Sequence, residues 1–209
     1  MHISDGVLPT SLILGCYAGS MVLAGWSARR ISNDELPKVA VLTASFFIAS
    51  LVHVPLGPTS VHLLIPGLVG ALLGPAAFLA IALGLLLQSL LFQFGGLTAL
   101  GANALMMGIP ALCCGFFFRH LRGTTRQRHI LAGALAGGLG TVGSALLLAL
   151  LLVSAGDDFL GVAKLALVAH LPVILIEATV SAFVVSFLYT VKPELLRQQP
   201  FIPPQKLNL

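Results

Sequence analysis

The sequence predicts an all-α, polytopic membrane protein: a bundle of seven transmembrane helices with its N-terminus outside and its C-terminus in the cytoplasm. Three observations indicate this class, namely the composition, a series of long apolar runs and the distribution of basic residues. Hydrophobic residues make up 57% of the 209 residues and charged residues only 9%, with a mean hydropathy of +1.02. Soluble domains carry about 25% charged residues. Because a water-soluble core of this length cannot hide so much apolar surface, lipid is the expected solvent.

A helix needs about 20 mainly apolar residues to cross a bilayer. The least obvious division lies between the third and fourth spans, because the chain from His62 to Gln93 carries no charge and is too long for one crossing. Gly74-Pro75 interrupts this stretch, and proline disfavours a helical conformation at the residue before it, so a turn is predicted there. Interruptions of this kind predict seven spans, near 8–28, 38–56, 61–74 (with Pro66 inside it), 75–93, 101–119, 129–154 and 162–190.

Small residues recur four apart in the sixth span, as in Gly133/Gly137 and Gly140/Ser144. Such a pattern lets another helix approach closely. The approaching helix can belong to this bundle or to a partner protein, and the sequence does not decide between them. No internal repeat is apparent, so the inverted-repeat design of many secondary transporters gains no support.

The basic residues fix the orientation of the bundle. With the N-terminus outside and seven alternating spans, only Lys164 of the eleven basic residues falls on the outer side. Cytoplasmic loops of membrane proteins are enriched in Lys and Arg, so the net charge of +4 reflects topology rather than nucleic-acid binding. The ten inner residues are Arg29, Arg30, Lys38, Arg119, Arg122, Arg126, Arg128, Lys192, Arg197 and Lys206.

This topology predicts a multi-pass protein of the plasma (inner) membrane, with a membrane domain over residues 1–192 and a loosely ordered cytoplasmic tail over residues 193–209. No Lys or Arg precedes Arg29, whereas a secretory signal begins with a basic segment. The first residues are therefore expected to stay in the mature protein.

His2 offers three nitrogens to a single metal ion: the amine of Met1, its own amide and its imidazole. These donors close two adjacent chelate rings in one plane, and one in-plane position remains for a further ligand. Planar nitrogen coordination suits nickel(II) or copper(II), and low-spin cobalt(II) also accepts it. Because the amide must lose its proton, binding is expected to weaken as the pH falls. The alternative is a frayed terminal histidine.

Two further histidines compete for the fourth position. His62 follows the short outer loop 54–61, in which two prolines and a glycine restrict the backbone and aim the imidazole. His53 ends the preceding span and is the competitor. Gln93, Thr98 and Asn103 lie around the Gly95-Gly96 turn, where lipid would penalise polar groups that lack partners. Metal-bound histidines usually donate their other N–H to an acceptor, which these side chains can supply.

His170 and Glu177 form the last polar cluster. They are seven residues apart and so share a helix face. Glu177 is the only acid deep in a span, and an intramembrane carboxylate is a functional candidate by default. It can be held by His170, by a partner helix, or in its protonated form, and the sequence leaves these options open.

A set of motifs stands in order along the chain: Met1-His2-Ile3, Asp5-Gly6, Ser60-Val61-His62-Leu63, Leu91-Phe92-Gln93, Gly95-Gly96-Leu97-Thr98, Leu100-Gly101-Ala102-Asn103 and His170-x-Pro172 with Glu177. This ordered set resembles the CbiM/NikM family, the substrate-capture (S) components of energy-coupling-factor transporters for cobalt and nickel. The likeness runs from residue 1 to about residue 180. Two positions depart from the pattern, Ser4 where many members have proline and Ala178 where many have glycine.

The resemblance implies that Met1, His2 and His62 hold the metal, with Asp5, Ser60, Gln93, Thr98 and Asn103 supporting the site. It also implies partners: a membrane coupling protein, a pair of cytoplasmic ATPases and a small CbiN/NikN-like membrane subunit. The transported ligand is then Co²⁺ or Ni²⁺, and no cofactor is expected. Cobalt is slightly favoured, because the loop ending at His62 is more similar to the cobalt branch.

The leading hypothesis is therefore a non-enzymatic transport subunit whose energy comes from ATP hydrolysis by partner subunits. The sequence contains no GxxxxGK[ST] loop and no chain of buried acids of the kind a proton-coupled carrier needs. One rival is a membrane-embedded metal-dependent hydrolase using zinc, His170 and Glu177, but HExxH-like spacing is missing. A second rival is a self-sufficient channel or permease, which needs polar groups spread across the membrane rather than gathered at its outer end.

Overall fold

The computed structural model describes residues 2–51, 53–56 and 59–198; of residues 53–56 and 59–61 it describes the backbone alone. The described chain is a helical bundle with one small antiparallel hairpin, which confirms the all-α class. Its helices are α1 (Thr10–Ala28), α2 (Leu36–Ala49), α3 (Pro66–Leu73), α4 (Ala77–Phe92), α5 (Leu100–Leu121), α6 (Arg126–Ala155) and α7 (Leu160–Val191), and its strands are β1 (His53–Leu56) and β2 (Thr59–His62).

Five helical segments of the described chain are long and apolar enough to cross a bilayer, as expected for a multi-pass membrane protein. One of them, Pro66–Phe92, joins α3 and α4. Helix α2 has 14 residues. At 1.5 Å per residue it is about 21 Å long, which is shorter than a hydrocarbon core of about 30 Å. The structure thus supports membrane-spanning helices, and the count of seven crossings stays a prediction.

The hairpin replaces the ends of two predicted spans. The second span was expected to continue to residue 56, but α2 ends at Ala49; the third was expected from residue 61, but α3 begins at Pro66. Proline fits the first turn of a helix, where its missing N–H is not needed, and not the interior. Short apolar runs do not distinguish helix from strand, so residues 53–56 were predicted as the end of a helix although they form a strand.

The predicted turn at Gly74-Pro75 is confirmed. Gly74 ends α3 with φ +55°, a left-handed value that favours glycine, and a single 3₁₀ turn leads into α4. The end of α3 is capped from the C-terminal segment, where the side-chain amide of Gln198 donates to the carbonyl oxygens of Gly70 (3.2 Å) and Ala71 (2.7 Å). Residues 193–198 therefore pack on the bundle, contrary to the expected loose order, because the last carbonyls of α3 need donors.

Helix α3 lies at the centre, with all eight residues buried. Gly67 faces the backbone of α6 so closely that a Cβ there would overlap Ala136, and Gly140 of α6 faces Gly67 in return. Nearer the start of α6, Gly133 and Gly137 face α7 around Ser181. Of the two possibilities left open for these small residues, packing within the bundle is the one observed at all three glycines of the pattern, Gly133, Gly137 and Gly140.

Candidate metal site

His2 and His62 meet in the interior of the bundle although sixty residues separate them. Nδ1 of His2 lies 3.0 Å from Nε2 of His62, and the two rings stack with centroids 4.6 Å apart and an interplanar angle of 24°. Both side chains are buried, with 5% and 3% of their surface exposed.

A directional chain of hydrogen bonds sets the tautomer of His2. The hydroxyl of Ser50 donates to the carbonyl oxygen of Phe47 (2.8 Å), so its oxygen accepts from the side-chain N–H of Gln88 (2.5 Å). The oxygen Oε1 of Gln88 then faces Nε2 of His2 at 2.8 Å. A carbonyl oxygen only accepts. We therefore assign the ring hydrogen of His2 to Nε2, which leaves a lone pair on Nδ1.

The same reasoning applies to His62. Its Nδ1 lies 3.2 Å from the carbonyl oxygen of Leu63, which again only accepts, so neutral His62 carries its hydrogen on Nδ1. Nε2 of His62 then presents a lone pair toward Nδ1 of His2. Two lone pairs 3.0 Å apart repel each other, and a cation bound to both nitrogens would remove that repulsion.

The N-terminal segment is held in the bundle by the loop before α5 and by α5 itself. Asn103 pairs with the backbone of Ile3 twice, accepting from its N–H (2.8 Å) and donating to its carbonyl oxygen (3.1 Å). The Asp5 carboxylate accepts from the backbone N–H (2.9 Å) and hydroxyl (2.5 Å) of Thr98 and from the N–H of Ala99 (3.3 Å). Asp5, Thr98 and Asn103, all expected to support the site, thus anchor the segment that carries His2.

Two glycines allow this close approach. Gly95 and Gly96 have φ values of +74° and +77°, which side chains rarely adopt. A Cβ on Gly95 would lie 2.8 Å from the Asn103 amide nitrogen and 3.0 Å from the His2 ring, and a Cβ on Gly96 would overlap the Asp5 carboxylate. The Gly95-Gly96 turn therefore fits the N-terminal segment because it lacks side chains.

The amide that contacts His2 is not among the three side chains predicted as acceptors, Gln93, Thr98 and Asn103. Gln93 is exposed at the end of α4, with φ +57°, while Thr98 and Asn103 contact Asp5 and Ile3. Gln88, one and a half turns before Gln93, is fully buried and makes the contact. The missed signal was an amide inside an apolar helix, which is unfavourable unless paired.

Three candidate residues lie wholly or partly outside the described chain. Met1 is not described. Ser60 and His53 are described as backbone only, with Ser60 opposite Pro55 and His53 opposite His62 in the hairpin. Among the side chains that the structure describes, no group of three or more His, Cys, Asp or Glu is placed to hold a metal.

His170 and Glu177 are both fully buried, and each has its own contacts. His170 donates from Nδ1 to the carbonyl oxygen of Ala166 (2.6 Å), and its Nε2 has no hydrogen-bond partner in the part of the chain that is described. Glu177 accepts from the backbone N–H groups of Leu64 and Ile65 rather than from His170. The predicted cluster is thus two separate features.

A family model named CbiM, the substrate-specific transmembrane region for cobalt uptake, matches residues 2–195. The chain belongs to the CbiM family. The predicted family resemblance is thereby confirmed over most of the chain.

Relatives of this CbiM-family chain are named as metal transport proteins. A putative metal transport protein of Haemophilus influenzae is 36% identical over 204 residues, covering 95% of this chain and 98% of that protein. The cobalt transport protein CbiM of Sorangium cellulosum is 34% identical and covers 94% of both chains. A putative fused nickel transport protein NikMN of Archaeoglobus fulgidus is 33% identical over 100% of this chain and 72% of its own length.

The CbiM-family fold also matches solved structures. A crystal structure of a transition metal transporter aligns with a TM-score of 0.80 at 25% identity, covering 91% of this chain and 93% of that chain. A truncated transition metal transporter aligns with a TM-score of 0.72 at 24% identity, which supports the fold alone.

Proposed function

We propose that this CbiM-family chain is the substrate-capture component of an ATP-driven energy-coupling-factor transporter, and that it binds Co²⁺ on the outer face of the membrane. The observation that carries the proposal is the pair of imidazole nitrogens, His2 Nδ1 and His62 Nε2, buried and facing each other at 3.0 Å. Ni²⁺ is the alternative ligand, because the same donors accept both ions and relatives are named for cobalt and for nickel.

The distance between the two nitrogens suits adjacent positions of a planar site. Metal–nitrogen bonds of about 2.0–2.1 Å place neighbouring ligands of a square plane about 2.8–3.0 Å apart. We propose the Met1 amine and the His2 amide as the other two ligands. Nδ1 is the ring nitrogen that closes a six-membered chelate ring with the amide of its own residue, which agrees with the hydrogen on Nε2.

We further propose that the chain crosses the plasma membrane seven times. The N-terminus would then lie outside and residues 193–209 in the cytoplasm. The support is the asymmetry of the basic residues, ten of eleven of which fall on one side in this topology. The short helices α2 and α3 would then be the second and third crossings, completed by the hairpin between them.

The energy is proposed to come from partners: a membrane coupling protein and a cytoplasmic ATPase pair. The sequence contains no GxxxxGK[ST] loop to bind nucleotide itself. A small NikN-like membrane subunit is a further proposed partner, since two relatives are named as NikMN fusions. The chain would then be a transport subunit and not an enzyme.

Metal analysis of the protein purified with an unmodified Met1 amine tests this function. We expect close to one equivalent of cobalt or nickel per chain after growth with both ions, and none from a His2→Ala variant of equal stability. A wild-type protein that binds neither ion would refute the proposal. One equivalent of zinc per chain, together with hydrolytic activity, would favour the rival enzyme.

Gln88 is expected to matter for metal affinity, because its oxygen accepts the Nε2 hydrogen of His2. Replacing Gln88 with Leu removes this acceptor, and loss of such a partner typically weakens metal binding about 10- to 100-fold. The measurement is calorimetric titration of Co²⁺. Gln93→Leu is the matched control, since Gln93 is exposed near the end of the same helix and should leave affinity unchanged. The opposite ranking of the two variants would contradict the assigned tautomer.

The affinity for Co²⁺ is expected to fall steeply as the pH decreases. Between pH 6.5 and 7.5 an α-amine, with an ordinary pKa of about 7.7–8.0, is largely protonated, so binding would release one proton from the amine and one from the amide. The dissociation constant should then rise almost 100-fold per unit of pH decrease. A tenfold change per unit would mean that one of the two proposed proton releases does not occur.

A further inference from the structure

The chain between His62 and α3 adopts an unfavourable conformation. Ile65, the residue before α3, has φ 48° and ψ 29°, in the left-handed region. A β-branched residue is a rare outlier there. Ile65 also precedes Pro66, and residues before proline prefer an extended backbone. A conformation of this kind persists only where surrounding contacts hold it.

The contact that holds this turn comes from α7. Oε1 of Glu177 accepts from the backbone N–H groups of Leu64 (2.5 Å) and Ile65 (2.9 Å). Oε2 accepts from the hydroxyl of Thr141 in α6 (2.7 Å). Leu64 and Glu177 are fully buried and Ile65 is 6% exposed, so these N–H groups depend on protein acceptors. One carboxyl group thus joins α6, α7 and the turn.

The turn is continuous with the His62 imidazole. Leu64 is two residues after His62, and the intervening Leu63 offers its carbonyl oxygen to His62 Nδ1. We propose that Glu177 is a positioning residue of the metal site: by holding the left-handed turn at Leu64–Ile65, it aims His62 Nε2 at His2 Nδ1. This inference rests on the proposed function and assigns Glu177 a role through backbone hydrogen bonds.

Glutamine and aspartate at position 177 separate hydrogen-bond geometry from charge. In Glu177→Gln the amide oxygen still accepts from Leu64 and Ile65, and the new N–H can donate to Thr141, whose hydroxyl turns to the carbonyl oxygen of Gly137 at 3.1 Å. Glu177→Asp keeps the charge but is one methylene too short to reach both N–H groups. We expect Gln to bind Ni²⁺ like wild type and Asp to bind about 10- to 100-fold more weakly.

A second substitution provides a rescue test. Glycine adopts the left-handed conformation without strain, so adding Ile65→Gly to the Glu177→Asp variant should restore most of the lost Ni²⁺ affinity, whereas Ile65→Gly alone should change little. The visible absorption spectrum of the bound Ni²⁺, which distinguishes planar from six-coordinate ions, should return to the wild-type form. Ser181→Ala, one turn farther along α7, is the control, because its buried hydroxyl has no partner in the described chain.

Each outcome decides the inference. Titrations use the full chain with an unmodified Met1 amine, and thermal unfolding verifies that every variant is folded. Tight binding by Asp with weak binding by Gln would assign a role to the charge and overturn the proposal, as would a failure of Ile65→Gly to rescue. If wild type itself binds neither Ni²⁺ nor Co²⁺, it is the proposed function that fails.

Discussion

One residue placed ahead of Met1 is expected to abolish metal capture while the bundle stays folded. The extension converts the terminal amine into an amide, which breaks one of the two proposed chelate rings, and it adds atoms next to the buried His2. Loss of a direct ligand should weaken Co²⁺ binding by more than about 100-fold, since even indirect partners are worth 10- to 100-fold. Calorimetric titration measures the loss, and acetylation of the amine should have the same effect.

The control is the same protein after the extra residue is removed. A protease that regenerates Met1 should restore binding in the same preparation, which separates the amine from any effect on expression. A residue added after Leu209 should be harmless. Wild-type affinity in the extended protein would eliminate the amine ligand and leave the two imidazoles as the only supported donors.

Replacing His62 with Ala is the second change with a large expected effect. It removes the Nε2 donor 3.0 Å from His2 and should also lower the affinity for Co²⁺ by more than about 100-fold. The remaining planar donors, those of the N-terminus, would leave an open position, so the spectrum of bound Ni²⁺ should change as well. Because the removed ring is buried and stacked on His2, the melting temperature must be measured alongside.

His53→Ala is the matched control for this experiment. The hairpin pairs the backbone of His53 with that of His62, so both substitutions perturb the same two strands. Wild-type affinity in His53→Ala, with binding lost in His62→Ala, is the expected pattern. The reverse pattern would assign the fourth ligand to His53.

The class of the fold followed from composition and charge, whereas the hairpin did not. Apolar runs and basic flanks report on the solvent that surrounds each residue, and that information is local in sequence. The strands at residues 53–56 and 59–62 depend on pairing between two segments, and an apolar run of four residues satisfies a helix equally well. The start of α3 at Pro66 could have been predicted, because proline is favoured in the first turn of a helix.

Among the residues that support the candidate site, some were likewise predictable from the sequence and one was not. Thr98 and Asn103 were singled out because polar residues next to a Gly-Gly turn need partners, and Asp5 because of the family resemblance; the structure places Thr98 against Asp5 and Asn103 against Ile3. Gln93 was among the predicted acceptors for His2, whereas Gln88 was not. The choice depends on which face of α4 meets His2, and that is a property of helix packing.

The sequence by itself determined the membrane-helical class, the Gly74 turn and the histidines worth testing, because hydrophobicity, backbone restriction and donor chemistry belong to individual residues. Tertiary structure alone decided that His2 and His62 face each other, that Gln88 sets the tautomer, and that Glu177 holds the turn behind His62. Hydrogen bonds between residues 60 to 113 positions apart depend on how helices pack against one another, and no local pattern records that arrangement.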